Sequence, residues 1–124
     1  PDELVTHSVG VRELWSTPGH FDAAWTRAYF QRAADRGECD GSARQMAAVL
    51  GASHREEELG GLTTPTLVVH GTVDPLIAPS GSERLAERIP GAELLLLEGM
   101  AHDFPPHFWA PVIESVTQLA IRSR

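Results

Sequence analysis

The spacing of apolar residues changes near residue 63 and divides the chain into two parts. Before that point apolar side chains recur every three or four residues, which predicts helices, and no strand pattern is present. After it, two short continuous apolar runs alternate with two amphipathic stretches, which predicts the order strand, helix, strand, helix. We therefore expect a helical first part, residues 1–60, and a mixed second part, residues 61–124.

Polar residues mark where the helices of the first part should begin. Three of them stand directly before a helical pattern, where N-terminal caps are expected: Asp22, Ser42 and Ser53. The first would cap a helix over residues 23–36, which Gly37 would end. The second would cap a helix over residues 42–52, and the third pairs with Glu56 in the S-x-x-E pattern of a capping box.

The second part contains two strands with a helix between them. The run "TPTLVVHG", residues 64–71, is rich in branched side chains and predicts a strand buried on both faces. The continuous apolar run of "AELLLLEG", residues 92–99, predicts a second strand. Ser80 and Glu83 form a capping box for the intervening helix, and a final helix fits residues 107–124. Two apolar strands joined by a helix predict a parallel pair with a right-handed crossover, so the fold class is α/β.

Two residues with catalytic potential follow the two strand ends. Asp74 comes shortly after the first strand and His102 shortly after the second. The carboxyl ends of parallel strands meet at one edge of a sheet, and neighbouring strands lie about 4.8 Å apart. Gly71 and Gly99 suit tight exits from the strands, because glycine accepts unusual backbone angles. We therefore expect the carboxylate and the imidazole to form a hydrogen bond, as in an acid–base pair.

Each of these residues also has a purely structural interpretation. Asp74 stands before Pro75, which is common turn chemistry, and His102 alone could be a loop or helix-start residue. Their joint occurrence, each after a strand of one strand–helix–strand unit, favours the coupled pair. For His70 we favour a structural role in loop packing. For Asp103 we favour a capping role over competition with Asp74 for the histidine.

Composition excludes several other function classes. The net charge of −7 argues against nucleic acid, and no apolar run approaches the roughly 20 residues that span a membrane. The single cysteine, Cys39, excludes an internal disulfide. The start of the chain is polar and shows no signal peptide, so we expect a cytoplasmic protein. We expect no metal site, because four further histidines have no partner at metal-ligand spacing: His7, His20, His54 and His107.

The stretch "PTLVVHGTVDPLIAPSGSERLAERIPGAELLLLEGMAHDFPP" resembles the carboxyl-terminal third of an α/β-hydrolase. In that family P-T-L followed by two hydrophobic residues and x-G-x-x-D-P carries the acid of a catalytic triad, and G-x-G-H carries the base. Asp74 matches the first pattern and His102 the second, while Ala101 stands where the family usually has glycine. The resemblance extends over residues 62–122. Residues 1–60 resemble, more weakly, the helical cap of bacterial esterases of the polyketide methylesterase type.

The resemblance implies a fold and a reaction. The fold would be a helical cap segment followed by a β-α-β-α unit, as a fragment of the α/β-hydrolase three-layer sandwich. The parent protein would hydrolyse carboxylic esters of small to medium hydrophobic substrates through an acyl-enzyme, without a cofactor. Side chains that could contact such a substrate are Trp25, Tyr29 and Met100.

The nucleophile that the resemblance requires is not recognisable in the chain. It should be a serine in a G-x-S-x-G elbow that precedes the cap. "THSVG" around Ser8 lacks the first glycine, and Ser80 and Ser82 suit helix capping better than catalysis. We therefore expect a fragment that is inactive when isolated.

Two alternatives to an esterase remain open. One is a catalytically inactive interaction or assembly module with the same fold. The other is a parent with a different nucleophile, as in dehalogenases, because one Asp–His pair serves several nucleophiles. Whatever the function, an exposed apolar strand edge favours pairing with another chain. We therefore expect a homodimer through that edge or through the cap helices.

Overall fold

The computed structural model describes residues 2–37, 41–52 and 56–123, and for Ser42 and Glu56 it describes the backbone only. The chain forms two compact units. The first unit comprises Pro1–Leu14 and Asp22–Arg55, and the second comprises Trp15–Phe21 and Glu56–Arg124. The predicted division after residue 60 therefore differs in two respects, because residues 56–60 and the short segment 15–21 group with the second unit.

The first unit is helical, as the apolar spacing predicts. It contains α1 (Asp2–Leu14), α2 (Ala23–Asp35) and α3 (Gly41–Gly51). The carboxylate of Asp22 accepts a hydrogen bond from the Trp25 N–H at 2.8 Å, which confirms the predicted cap of α2.

The ends of these helices agree with the predictions where the structure describes them. Gly37 follows α2 with a φ of +77°, a conformation that glycine adopts without strain. Ser42 is the second residue of α3, and its side chain lies outside the described residues. The predicted capping box of Ser53 and Glu56 also lies outside them.

The second unit contains the two predicted strands. Its elements are α4 (Glu56–Leu59), β1 (Leu67–Gly71), α5 (Pro79–Arg88), β2 (Glu93–Leu97), a 3₁₀ turn (Pro106–Phe108) and α6 (Trp109–Arg122). The strands β1 and β2 are parallel neighbours, with Leu67 opposite Glu93 and Gly71 opposite Leu97. The parallel pair is thereby confirmed, and both carboxyl ends lie at the same edge.

The predicted capping box at Ser80 is wrong. The helix α5 begins at Pro79, with Ala78 in extended conformation before it and no side-chain cap. Proline suits the first helical position, since its φ is already helical and its missing N–H has no partner there in any helix. Ser80 consequently lies inside the first turn, where its hydroxyl does not cap the helix.

A small apolar core lies beneath the ends of the strands. Leu97, Met100 and Phe108 are buried together, and Val69, Leu95 and Val112 pack against them. The expectation that β1 is buried on both faces holds only at its end, where His70 and Gly71 are buried, because its other residues are half-buried. In β2, Leu94 and Leu96 are more than a third exposed. The helices of this unit leave that part of the sheet uncovered.

Among the described residues, no helix is both long enough and apolar enough to cross a bilayer.

Candidate active site

Backbone hydrogen bonds join the loop after β1 to the loop after β2. The Thr72 N–H donates to the Leu97 carbonyl at 3.1 Å, and the Val73 N–H donates to the Met100 carbonyl at 3.1 Å. The Thr72 hydroxyl in turn accepts the Gly99 N–H at 2.9 Å. The two loops therefore continue side by side beyond the strands and bring Asp74 towards His102.

Glycine is required where the chain leaves each strand, at Gly71 and at Gly99, for two different reasons. Gly99 has a φ of +80°, so the predicted need for unusual backbone angles is confirmed there. Gly71 has no such angle. Its requirement is steric, because a Cβ atom at that position would lie 2.1 Å from the carbonyl oxygen of Met100. Only glycine lets the two loops approach so closely.

The predicted contact between Asp74 and His102 is present. Nδ1 of His102 lies 2.8 Å from Oδ2 of Asp74. The Asp74 side chain is 5% exposed, whereas the imidazole is 33% exposed. A carboxylate can only accept, so Nδ1 carries the proton and the neutral ring keeps its lone pair on Nε2. This geometry leaves a basic nitrogen on a partly exposed ring, held from behind by a buried carboxylate.

The second carboxylate oxygen of Asp74 has a separate role. Oδ1 accepts the N–H groups of Leu76 and Ile77 at 2.8 and 2.9 Å. This is the side-chain turn typical of aspartate before proline. The turn interpretation and the predicted contact with His102 therefore both hold, with one oxygen serving each.

These contacts decide the ionisation of Asp74. Burial of its carboxyl raises the pKa, but the hydrogen bonds from Ile77, His102 and Leu76 and the charge of His102 lower it by more. The net pKa of Asp74 lies below the ordinary aspartate value, because all of these partners stabilise the ionised form. The group is thus an anion at neutral pH, as a partner for an imidazolium must be.

His70 has the structural role that we favoured. Its Nε2 lies 3.0 Å from the Ile77 carbonyl and its Nδ1 lies 2.7 Å from the Ser82 hydroxyl. A carbonyl only accepts, so Nε2 carries the proton and Nδ1 accepts from Ser82. The ring thereby ties the loop that carries Asp74 to the start of α5.

A second set of side chains has the composition of a catalytic triad but not its geometry: Ser82, His70 and Asp74. His70 Nε2 is 3.6 Å from Asp74 Oδ2, and its N–H is directed to the Ile77 carbonyl. Ser82 and His70 are 7% and 8% exposed, so neither presents a reactive atom to solvent. The pair of Asp74 and His102 is better suited to chemistry.

A second support for His102 comes from the segment before α2, and no sequence pattern indicates it. The His102 N–H donates to the Trp15 carbonyl at 2.9 Å, and the Ala101 N–H donates to the Thr17 hydroxyl at 3.0 Å. The indole of Trp15 stands edge-on to the His102 ring, with centroids 6.3 Å apart. Because 84 or more residues separate these partners, no local pattern could have indicated them.

The predicted capping role of Asp103 is wrong. Its Oδ1 accepts the Thr17 N–H at 2.9 Å and also the Thr17 hydroxyl. The helix α6 has no side-chain cap, and its N-cap position is Phe108. Asp103 serves a distant loop instead, since a carboxylate can accept two donors from one threonine.

The other residues singled out in the sequence lie in different settings. Trp25 and Tyr29 are exposed in the first unit and stack with ring centroids 5.7 Å apart. Met100 is buried in the core of the second unit. The hydroxyl of Ser8 donates to the Leu4 carbonyl within α1. In the part of the chain that the structure describes, no group of three or more His, Cys, Asp or Glu side chains could hold a metal ion.

Known proteins are similar to this chain in sequence and in fold. The sequence model of the family described as "Serine aminopeptidase, S33" (Hydrolase_4) matches residues 39–105, slightly more than half of the chain. Two curated relatives are 36% identical over 62 residues: rhodomycin D methylesterase DauP of Streptomyces sp. (strain C5) and rhodomycin D methylesterase DnrP of Streptomyces peucetius. The aligned segment is 50% of this chain and 21% of each relative.

A solved structure extends the similarity to both units. The esterase RhEst1 from Rhodococcus sp. ECU1013 matches 97% of this chain with a TM-score of 0.65 and 25% identity. The chain covers 42% of that protein. By its matched sequence and its fold, the chain belongs to the serine aminopeptidase S33 family of α/β-hydrolases.

Proposed function

We propose that the protein to which this chain belongs hydrolyses carboxylic esters of small to medium hydrophobic substrates. One observation carries this proposal: a buried aspartate holds a partly exposed histidine by Nδ1, at 2.8 Å, so that Nε2 can act as a base. The names of the relatives as methylesterases, and of the structural neighbour as an esterase, support an ester as the substrate.

In the proposed reaction His102 moves protons in both steps. Nε2 takes the proton of a serine hydroxyl while the serine oxygen attacks the ester carbonyl carbon. The tetrahedral intermediate expels the alcohol oxygen, which takes that proton from Nε2, and an acyl-enzyme remains. Water then attacks the acyl group as Nε2 takes a proton from it, and the serine recovers the proton when the acid leaves. Asp74 stabilises the imidazolium in each step.

We propose that the attacking serine lies outside these 124 residues. Three observations support this: the Ser8 hydroxyl is bonded within α1, Ser82 is buried against His70, and Ser80 lies in the first turn of α5. The isolated chain should then show no meaningful turnover, because triad members act as a unit.

Ester hydrolysis by two forms of the protein tests this proposal. We would determine the intact mass of the natural gene product and compare its hydrolysis of p-nitrophenyl acetate and butyrate with that of the 124-residue chain. Turnover by a longer natural product, without turnover by the chain, is the expected result. A natural product of the same mass without turnover would contradict the proposal and favour an inactive interaction module. Release of halide from a haloalkane in place of ester hydrolysis would favour the dehalogenase-like alternative.

A further inference from the structure

We propose that Thr17 is a positioning residue for His102, and that it acts by bonding the residues on both sides of the histidine. The contacts are independent of any reaction, but their importance for catalysis depends on the proposed function of His102. Thr17 lies in the segment Trp15–Phe21, which separates α1 from α2 in sequence and belongs to the second unit.

The loop that carries His102 has few backbone partners of its own. Met100 is held by the adjoining strand ends, since its N–H donates to Leu97 and its carbonyl accepts from Val73. The N–H groups of Ala101 and His102 point instead to Thr17 and Trp15. The position of the histidine backbone is therefore set by a segment more than 80 residues away in sequence.

A single hydroxyl group forms the centre of this contact. Oγ1 of Thr17 accepts the Ala101 N–H at 3.0 Å and donates its own hydrogen to the Asp103 carboxylate. The Thr17 N–H donates to the same carboxylate oxygen at 2.9 Å. Residues directly before and directly after His102 are thus bonded to one threonine.

Both partners of the contact between Thr17 and Ala101 are buried, which makes its loss costly. Thr17 is 2% exposed and Ala101 is 3% exposed, so water cannot easily replace a missing partner there. Without the hydroxyl, the Ala101 N–H would lose its acceptor, and the Asp103 carboxylate would lose one of its two donors. We expect the loop to shift, and a shift of even 1 Å at His102 would break the 2.8 Å bond to Asp74.

Three variants of the 124-residue chain separate positioning from general stability. Thr17→Val keeps the shape of the side chain but removes the hydroxyl, and Thr17→Ser keeps the hydroxyl. Thr26→Val is the matched control, because Thr26 is a buried threonine of the first unit. The readout is the NMR resonance of the His102 ring proton on Nδ1, assigned by its absence in His102→Gln.

We expect that resonance in the wild-type chain, in Thr17→Ser and in Thr26→Val, and its loss in Thr17→Val. A folded Thr17→Val chain that retains the resonance would overturn the proposal. If Thr17→Val does not fold, Asp103→Ala decides in the same way, because it removes the acceptor oxygen from the other end of the contact. Loss of the resonance there supports positioning, and its retention overturns it.

The same spectra distinguish this proposal from the proposed function. A wild-type chain whose His102 carries its proton on Nε2 would contradict the acid–base pair and the positioning role together. A wild-type chain with the proton on Nδ1, unchanged in Thr17→Val, would overturn the positioning role alone. In the natural gene product we expect Thr17→Val to lower kcat by roughly 10²-fold with little change in KM, and Thr17→Ser to restore it.

Discussion

The two oxygens of Asp74 are divided between two tasks: Oδ2 accepts the Nδ1 proton of His102 at 2.8 Å, while Oδ1 accepts two backbone N–H groups of its own turn. The turn fixes the direction of the carboxylate, and the carboxylate fixes the tautomer of the imidazole. One residue therefore holds its own turn through one oxygen and the imidazole through the other.

Replacement of Asp74 by asparagine should reverse the tautomer of His102. The side-chain oxygen of asparagine can still accept the Leu76 and Ile77 N–H groups, but its NH₂ group then faces Nδ1 and can only donate. Nδ1 should become the acceptor and the proton should move to Nε2, where it blocks the base. Long-range ¹H–¹⁵N spectra of the histidine rings in the two chains measure this directly. An unchanged Nδ1 proton in Asp74→Asn would show that Asp74 does not set the tautomer.

Asp74 should also make the stability of the second unit depend on acidic pH. Its pKa is lower in the folded chain than in the unfolded chain. As the pH falls below about 4, the unfolded chain therefore binds more protons than the folded chain. The stabilisation from the ionised carboxylate is complete above that value and is lost as the pH falls through the lowered pKa. We expect the difference in Tm between wild type and Asp74→Asn to shrink between pH 5 and pH 2. A constant difference over that range would contradict the assigned contacts.

The close approach of the two loops should make Gly71 intolerant of any side chain. Gly71→Ala would place a methyl group 2.1 Å from the Met100 carbonyl oxygen, and overpacking of this kind costs about 1–3 kcal/mol. Gly81→Ala is the matched control, because Gly81 lies in α5 with open space around it. That change should stabilise the chain by about 0.5–1 kcal/mol. The free energy of unfolding of both variants is measured with urea. If Gly71→Ala is as stable as Gly81→Ala, the steric requirement at Gly71 is contradicted.

We propose that the chain forms a homodimer, through the exposed edge of the two-stranded sheet or through the helices of the first unit. Leu94 and Leu96 of β2 are more than a third exposed, and Leu50 of α3 is 76% exposed. Exposed apolar surface of this kind favours association. Sedimentation equilibrium should show a dimer that Leu96→Glu or Leu50→Glu dissociates, which would identify the surface. A folded monomer at all concentrations would contradict the proposal.

The parts of this architecture that follow from local pattern could be predicted from the sequence. Two apolar runs on either side of an amphipathic stretch predict a parallel strand pair, and the shared carboxyl edge then predicts that Asp74 meets His102. Nothing beyond neighbouring residues and a general rule of sheet topology is needed for that step. The cap of α2 by Asp22 is equally local, because a polar residue directly before a helical pattern predicts it.

The remaining features depend on contacts between distant parts of the chain. Asp103 carries no sequence signal that would distinguish a helix cap from a partner of Thr17, 86 residues away. Gly71 resembles an ordinary turn glycine, yet its requirement comes from the Met100 carbonyl of the neighbouring loop. At Ser80 two local signals compete, and the proline before it decides where α5 begins.

The most direct test of the central claim is the kcat of the natural gene product on p-nitrophenyl acetate after substitution of His102. We expect His102→Gln to lower kcat by roughly 10⁴- to 10⁶-fold, because the nucleophile loses its base. Ser82→Ala removes the buried hydrogen bond between Ser82 and His70 and should keep most of the wild-type kcat. A loss of less than about tenfold in His102→Gln would contradict the account, since a general base contributes at least about 10²-fold.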